Sequence, residues 1–343
     1  VKELRSLGIQ PDILICRSSK PIPQDMCEKM AMFCDVDADA VFQNLTARSI
    51  YEVPVLLEKQ GLDEVVLRKL DVDVTNHPLD MTEWHDMVER MLKDYDRKVT
   101  LGVVGKYVEL QDSYISLTEA LRHAAMANEA NLEIKWINAE LAETGEVDLE
   151  AELKGVDAIL VPGGFGSKGL EGKISAIKYA RENKVPFFGI CLGMQCAVVE
   201  YARHIGMADA NTTEAKPETA YPVIDIVPEQ KDVEEKGSMR LGLYPCKVAA
   251  GSFTEKAYGE ALIYERHRNR YEVNNAFREE LEKNGLVIAG ALPNGRLVEI
   301  VELPESVHPW FVGVQFHPEL KSRPTNPHPL FRDFIAAALK EQK

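Results

Sequence analysis

Between residues 98 and 204 short apolar runs alternate with longer segments of helical periodicity, and this alternation constrains the fold of the 343-residue chain more than any other feature. The runs 99–104, 132–137, 158–161 and 186–190 are apolar almost throughout, the pattern of strands buried on both faces. Residues 114–130, 172–183 and 193–204 supply helices between and after them. The pattern predicts an α/β domain on a mostly parallel sheet with helices on both sides. After Tyr221 the elements shorten: 287–292, 296–301 and 311–315 read as a hairpin and a returning strand, and 328–340 as a closing helix. The charged stretch 229–236 reads as a solvated loop.

The first seventy residues are organised differently. Ile9 to Cys16 reads as a turn running into a short buried strand, and 24–33 as a helix whose apolar stripe is Met26, Met30 and Phe33. Residues 49–60 form a second helix, interrupted at Pro54 and stopped at Gly61. A linker over 71–97 is polar and turn-rich to Pro78, then carries one amphipathic helix over 80–95 capped near Thr82. The expected division is therefore 1–70, linker 71–97, and a domain over 98–343.

Composition removes several function classes. Forty Lys and Arg against 55 Asp and Glu give a net charge of −15, which argues against nucleic acid or an anionic membrane as partner. Hydrophobic residues at 45% suffice for a sizeable core, and no apolar run approaches the length of a membrane span. The chain starts at Val1 without an initiator Met or a signal-peptide core, pointing to a processed chain or a fragment. Six cysteines without metal-ligand spacing read as reduced thiols of a cytoplasmic protein.

One cysteine stands apart. In Phe188-Gly189-Ile190-Cys191-Leu192-Gly193-Met194-Gln195 an apolar strand runs straight into Gly-x-Cys-x-Gly and a helix follows. That is the layout of a nucleophile elbow, where a tight turn needs small neighbours and the helix N-terminus favours the thiolate. Cys16, Cys27, Cys34, Cys196 and Cys246 lack this setting and read as structural. A thiol nucleophile needs a base and an orienting group. Gln315-Phe316-His317-Pro318-Glu319 offers both, His317 to take the thiol proton and Glu319 to hold its tautomer. The other seven histidines read as structural. Val161-Pro162-Gly163-Gly164-Phe165-Gly166 follows a strand and can aim a backbone N–H at a developing oxyanion, with the N–H of Leu192 as second donor. Gly164 to Gly169 also matches G-x-G-x-x-G, but Pro162-Gly163 before it indicates a turn, and no Walker A loop occurs in the chain. In Arg266-His267-Arg268-Asn269-Arg270-Tyr271, arginine recurs with period two. On a strand the three guanidinium groups would share one face, suited to gripping a carboxylate.

Together these residues resemble the class I glutamine amidotransferases, whose Cys in G-x-C-x-G, His and Glu in H-P-E and glycine in P-G-G match Cys191, His317, Glu319 and Gly164. The runs 266–274, Tyr201-Ala202-Arg203-His204, Met239-Arg240-Leu241-Gly242 and 102–107 narrow the resemblance to the CTP synthase family, and 8–17 resembles the end of its Rossmann-like amidoligase domain. The resemblance implies a glutamine site at Gly164, Leu192, Gly193, Met194 and Gln195, with Glu214 on the α-amino group and Arg270 on the α-carboxylate. It implies that Arg17 and Lys29 face the nucleotide-binding side of the amidoligase. It further implies that the complete enzyme aminates UTP to CTP with ATP and Mg²⁺, responds to GTP and is homotetrameric. The ATP and Mg²⁺ site is not expected in this chain, and no cofactor is implied for the glutaminase half. The stretch 229–237 is the candidate GTP-responsive lid. Two other readings of the same residues stay open: a different Cys–His γ-glutamyl hydrolase, and a non-catalytic assembly module.

Overall fold

The computed structural model describes residues 1–73, 79–226 and 239–342, so the stretch 229–237 and His77 lie outside the described residues. The chain forms two compact units, Val1–Lys93 and Asp94–Lys343.

In the first unit β1 (Leu14–Ser18) and β2 (Val41–Leu45) pair in parallel. Phe42, Ala40 and Val65 form its small core. β1 begins later than the sequence suggests and is half-buried rather than buried, with Ile15 52% exposed. The helix Gln24–Cys34 buries Cys27 and Ala31, one turn apart. The expected stripe is therefore not its inner face: Met26 and Phe33 are exposed, and the smaller side chains let the helix pack closely. Pro54 does not interrupt a helix; it sits in the first turn of Val53–Glu58, where its missing N–H costs no hydrogen bond. The helix Thr82–Leu92 belongs to this unit, where Trp84 Nε1 donates to the Tyr51 carbonyl at 2.9 Å.

The second unit is built on β3 (Arg97–Gly105), β4 (Ala130–Asn138), β5 (Ala158–Val161), β6 (Phe187–Ile190), β7 (Ala210–Thr212), β8 (Tyr221–Ile226), β9 (Arg240–Val248), β10 (Leu262–Asn269), β11 (Tyr271–Val273), β12 (Val287–Ala291), β13 (Val298–Glu302) and β14 (Phe311–Val314). Its main sheet has the order β10-β9-β12-β13-β14-β6-β5-β3-β4. From β14 to β4 every neighbouring pair is parallel; β13, β12, β9 and β10 extend the sheet antiparallel. A small sheet of β11, β8 and β7 stands apart.

The parallel strands bury both faces, so successive residues serve different cores. Phe187 joins the layer of helices Leu170–Asn183 and Leu192–His204, whereas Phe188 joins that of Ile115–Ala127 and Pro329–Glu341. Phe188 meets Trp310 and Phe331 edge-on at 5.5 and 5.2 Å between centroids. Replacing it by Ala leaves a cavity beneath the turn at Cys191. Phe188→Ala is expected to cost about 3–5 kcal/mol, read as a lowered midpoint in denaturant unfolding of the chain.

Candidate active site

The carboxyl ends of β5, β6 and β14 converge on one edge of the sheet. β6 ends at Ile190, and Cys191 caps the helix Leu192–His204 with φ 52° and ψ −105°. A side chain in the left-handed region is strained, and such a position persists only when its surroundings enforce it. Here they do. Cys191 N–H donates to the Val314 carbonyl at 2.7 Å, and its own carbonyl accepts from Gln195 N at 3.1 Å. The flanking glycines are required by contact: a Cβ on Gly193 would lie 2.0 Å from the Val161 oxygen, and one on Gly189 would lie 2.8 Å from the Gly193 carbonyl carbon and oxygen. The first N–H groups of the helix have no intrahelical acceptor and favour negative charge at its end.

His317 follows β14. Its Nδ1 lies 2.7 Å from Glu319 Oε1, across a short turn over Pro318–Leu320. Its Nε2 is buried without a hydrogen-bond partner. Gly163 lies against both residues: a Cβ there would meet His317 Cε1 at 2.8 Å and Cys191 Cβ at 3.5 Å. Burial opposes charge on the imidazole, but the interactions with Cys191 and Glu319 outweigh it and raise its pKa to about 10.

The turn after β5 is clamped from three sides. Lys106 Nζ donates to the Phe165 carbonyl at 3.1 Å, and Gly166 N–H donates to Glu214 Oε1 at 2.8 Å. The Arg268 guanidinium lies 5.7 Å from the Phe165 ring. Leu192 Cδ2 packs 3.5 Å from where a Cβ on Gly164 would sit, and buried Lys173, its pKa lowered by desolvation, brings Nζ to 3.8 Å of the same point. A cleft of about 420 Å³ opens here, walled by Tyr107, Tyr114, Gly164, Phe165, His317 and Glu319, among others.

The structure thus brings Cys191, His317, Glu319, Gly164 and Leu192 together. Glu214 and Arg270 do not wall this cleft: Glu214 is bonded to the loop, and Arg270 lies beside Tyr271, 6.0 Å from its ring. Met194 is fully buried against Gly313 and does not wall the cleft. Gln195 is buried, and its Nε2 donates to the Tyr271 carbonyl. The three arginines do not share a strand face. Arg266 and Arg268 point outward from β10, but the strand ends at Asn269, whose side chain folds back onto the Tyr271 carbonyl and Glu272, so Arg270 leaves the row. In the first unit Arg17 donates to the Ser18 carbonyl and to Thr46 near the carboxyl ends of β1 and β2, while Lys29 pairs with Asp25 on an exposed helix face. Lys106 and Gln315 also belong to the site's surroundings, and nothing in their spacing marks them before the sheet edge is assembled.

The fold is that of the class I glutamine amidotransferases. The family described as Glutamine amidotransferase class-I matches residues 109–337, and the chain belongs to it. Residues 1–72 match the family CTP synthase N-terminus. Over its whole length the chain is 56% identical to the CTP synthase of Clostridium kluyveri and, equally, to that of Carboxydothermus hydrogenoformans, and it spans 63% of the length of each. Among solved structures, the glutaminase domain of Trypanosoma brucei CTPS with bound acivicin is similar at 37% identity and a TM-score of 0.65, over 71% of this chain and 95% of that one.

Gly193→Ala forces the helix away from Val161 and is expected to cost about 1–3 kcal/mol or more, with slower alkylation of Cys191; denaturant unfolding and mass spectrometry of the labelled thiol measure both. Because the His317 pKa is raised on folding, its charge contributes stability in full below the ordinary histidine range, and that contribution is lost as pH rises through about 10. Glu319→Gln should therefore be less stable than the parent at neutral pH, with the difference narrowing above about pH 10, as followed by thermal unfolding across pH.

Proposed function

We propose that this chain carries the glutaminase half of a CTP synthase. The single observation behind this reading is Cys191, strained at the sheet edge, facing an imidazole that Glu319 holds at 2.7 Å. Glutamine binds with its side-chain amide at Cys191, its α-amino group toward Glu214 and its α-carboxylate toward Arg270. Gly193, Met194 and Gln195 border it. The thiolate attacks the amide carbon, and N–H groups near Gly164 and at Leu192 receive the negative charge on oxygen. His317 gives its proton to the departing nitrogen, the C–N bond breaks, and ammonia leaves a γ-glutamyl thioester. Water, deprotonated by His317, then hydrolyses the thioester to glutamate and frees the thiolate.

In the complete enzyme the ammonia goes to UTP activated by ATP, giving CTP. The sequence has no Walker A loop, and among the described residues no group of three or more His, Cys, Asp or Glu could hold a metal ion. We attribute that half of the reaction to the complete enzyme; this chain spans 63% of the length of the two CTP synthases named above. We read 1–70 as the end of the amidoligase domain, 71–97 as a linker and 98–343 as the glutaminase domain. Arg17 and Lys29 belong to the nucleotide side, with GTP as regulator and a homotetramer as the assembly of the complete enzyme. A cytoplasmic setting agrees with six free cysteines, and no described helix is long and apolar enough to cross a membrane.

Cys191→Ser is expected to lower glutamine hydrolysis by at least ~10³-fold while leaving the far-UV circular dichroism and unfolding midpoint unchanged. Undiminished release of ammonia from glutamine by that variant would refute the nucleophile. Arg270→Ala should raise KM for glutamine by about tenfold or more, with a smaller change in kcat.

A further inference from the structure

The proposed reaction gives Gln315, in the Gln315–Glu319 run, no task. Gln315 is completely buried. Its backbone N–H donates to the Glu299 carbonyl at 2.8 Å, which fixes the residue against β13. Its side-chain Nε2 lies 3.6 Å from Cys191 Sγ, and its Oε1 accepts from Gln195 Nε2 at 3.2 Å. Gln195, 4% exposed, donates from the same nitrogen to the Tyr271 carbonyl at 2.9 Å. Asn269 Nδ2 donates to that carbonyl as well, at 3.1 Å.

This chain has only one consistent orientation. A backbone carbonyl can only accept, so Gln195 must turn its NH₂ toward Tyr271. That NH₂ also faces Gln315, which must answer with its oxygen. The NH₂ of Gln315 is then left pointing at sulfur. A buried amide N–H needs an acceptor, and a thiolate is a far better one than a neutral thiol. The Arg268 carbonyl, 3.9 Å from the sulfur, can receive the S–H when the thiol is protonated.

We propose that Gln315 is a catalytic residue of this site, an oriented N–H donor to the Cys191 sulfur, and that Gln195 is the positioning residue that sets its orientation from the Tyr271 carbonyl. Gln315 transfers no proton. It stabilises the anion before attack and again when thioester hydrolysis expels the thiolate. The relay joins the sulfur to the break between β10 and β11, where Arg270 sits, so the nucleophile and the expected carboxylate contact share one hydrogen-bonded frame. This inference rests on the reading of Cys191 as the nucleophile.

The test uses the whole 343-residue chain and the rate of Cys191 alkylation by iodoacetamide as a function of pH, a readout that needs no glutamine. Gln315→Met keeps the length of the side chain and removes the donor. It should slow alkylation about tenfold at neutral pH, the size of one charge-assisted hydrogen bond, with the difference closing at alkaline pH where the thiolate forms regardless. The kcat for glutamine should fall by a similar factor, with KM within about twofold. Gln195→Met leaves Gln315 in place but without its anchor, and should shift the alkylation profile in the same direction by less. It serves as the second arm if Gln315→Met does not fold. Alkylation profiles that superimpose on that of the parent chain in a folded variant would overturn the role of Gln315 while leaving the glutaminase reading intact. A Cys191 that fails to alkylate selectively in the parent chain would overturn both.

Discussion

Everything at the sheet edge depends on how closely the helix Leu192–His204 approaches the strands beneath it. Three glycines permit that approach: Gly193 against the Val161 carbonyl, Gly189 against Gly193, and Gly313 with Met194 3.1 Å from where its Cβ would be. No side chain could occupy the first two positions without moving backbone. The helix start is thereby pressed onto the ends of β5, β6 and β14, and Cys191 is forced into a conformation it would not choose. The strain is borne by a well-filled core, since Phe187, Phe188, Phe311 and Val314 behind the turn are all fully buried. The thiol, the imidazole and the turn at Gly164 meet because three strand ends are held at one level.

A second constraint lies under the antiparallel extension. Arg240, Glu272 and Glu299 form a buried ion-pair cluster, with Arg240 bonded at 2.6 Å to Glu272 and at 2.8 Å to Glu299, and His267 Nε2 at 2.6 Å from Glu299. Burial works against charge on both carboxylates. His267 and Arg240 nevertheless hold Glu299 below the ordinary range, whereas Glu272, with Arg240 shared and Glu299 nearby, is left above it. Such a cluster contributes little net stability once desolvation is counted. What it fixes is geometry: Glu272 and the Tyr271 carbonyl capture the Asn269 side chain, and the strand breaks at Arg270.

That cluster also explains what was legible and what was not. The parallel strands announce themselves as apolar runs, and Gly-x-Cys-x-Gly and His-Pro-Glu mark the elbow and its base locally. β9 and β10 did not read as strands of the main sheet because their polarity is inverted. Glu265, His267 and Asn269 point inward, while Leu241, Leu243 and Tyr264 face out. Period-two reasoning assumes that the apolar face is the buried one, and a buried charge network reverses that assumption. The helix Gln24–Cys34 misleads for a related reason, since size rather than hydrophobicity decides which side packs, and Ala31 and Cys27 outrank Phe33. Relations such as Lys106 with Phe165, or Gln195 with Gln315, span 59 and 120 residues and exist only once the sheet order is known.

The turn at 162–166 raises a last question of division of labour, because Glu214 holds it in place and is also the residue expected to meet the substrate's ammonium group. The two tasks are compatible on chemical grounds. A carboxylate carries two acceptor oxygens, so one can keep the Gly166 N–H while the other meets a cation. Charge balance points the same way. Lys106 sets positive charge beside the turn; burial and Lys106 both disfavour the charged form of Lys173, and Glu214 is among the anions that favour it. An arriving ammonium would add to that positive charge, and an arriving oxyanion at Gly164 would relieve it. In the proposed reaction this makes the loop a better host for the tetrahedral intermediate than for the free amino acid, which is the sense in which a binding site accelerates a reaction rather than merely holding its substrate.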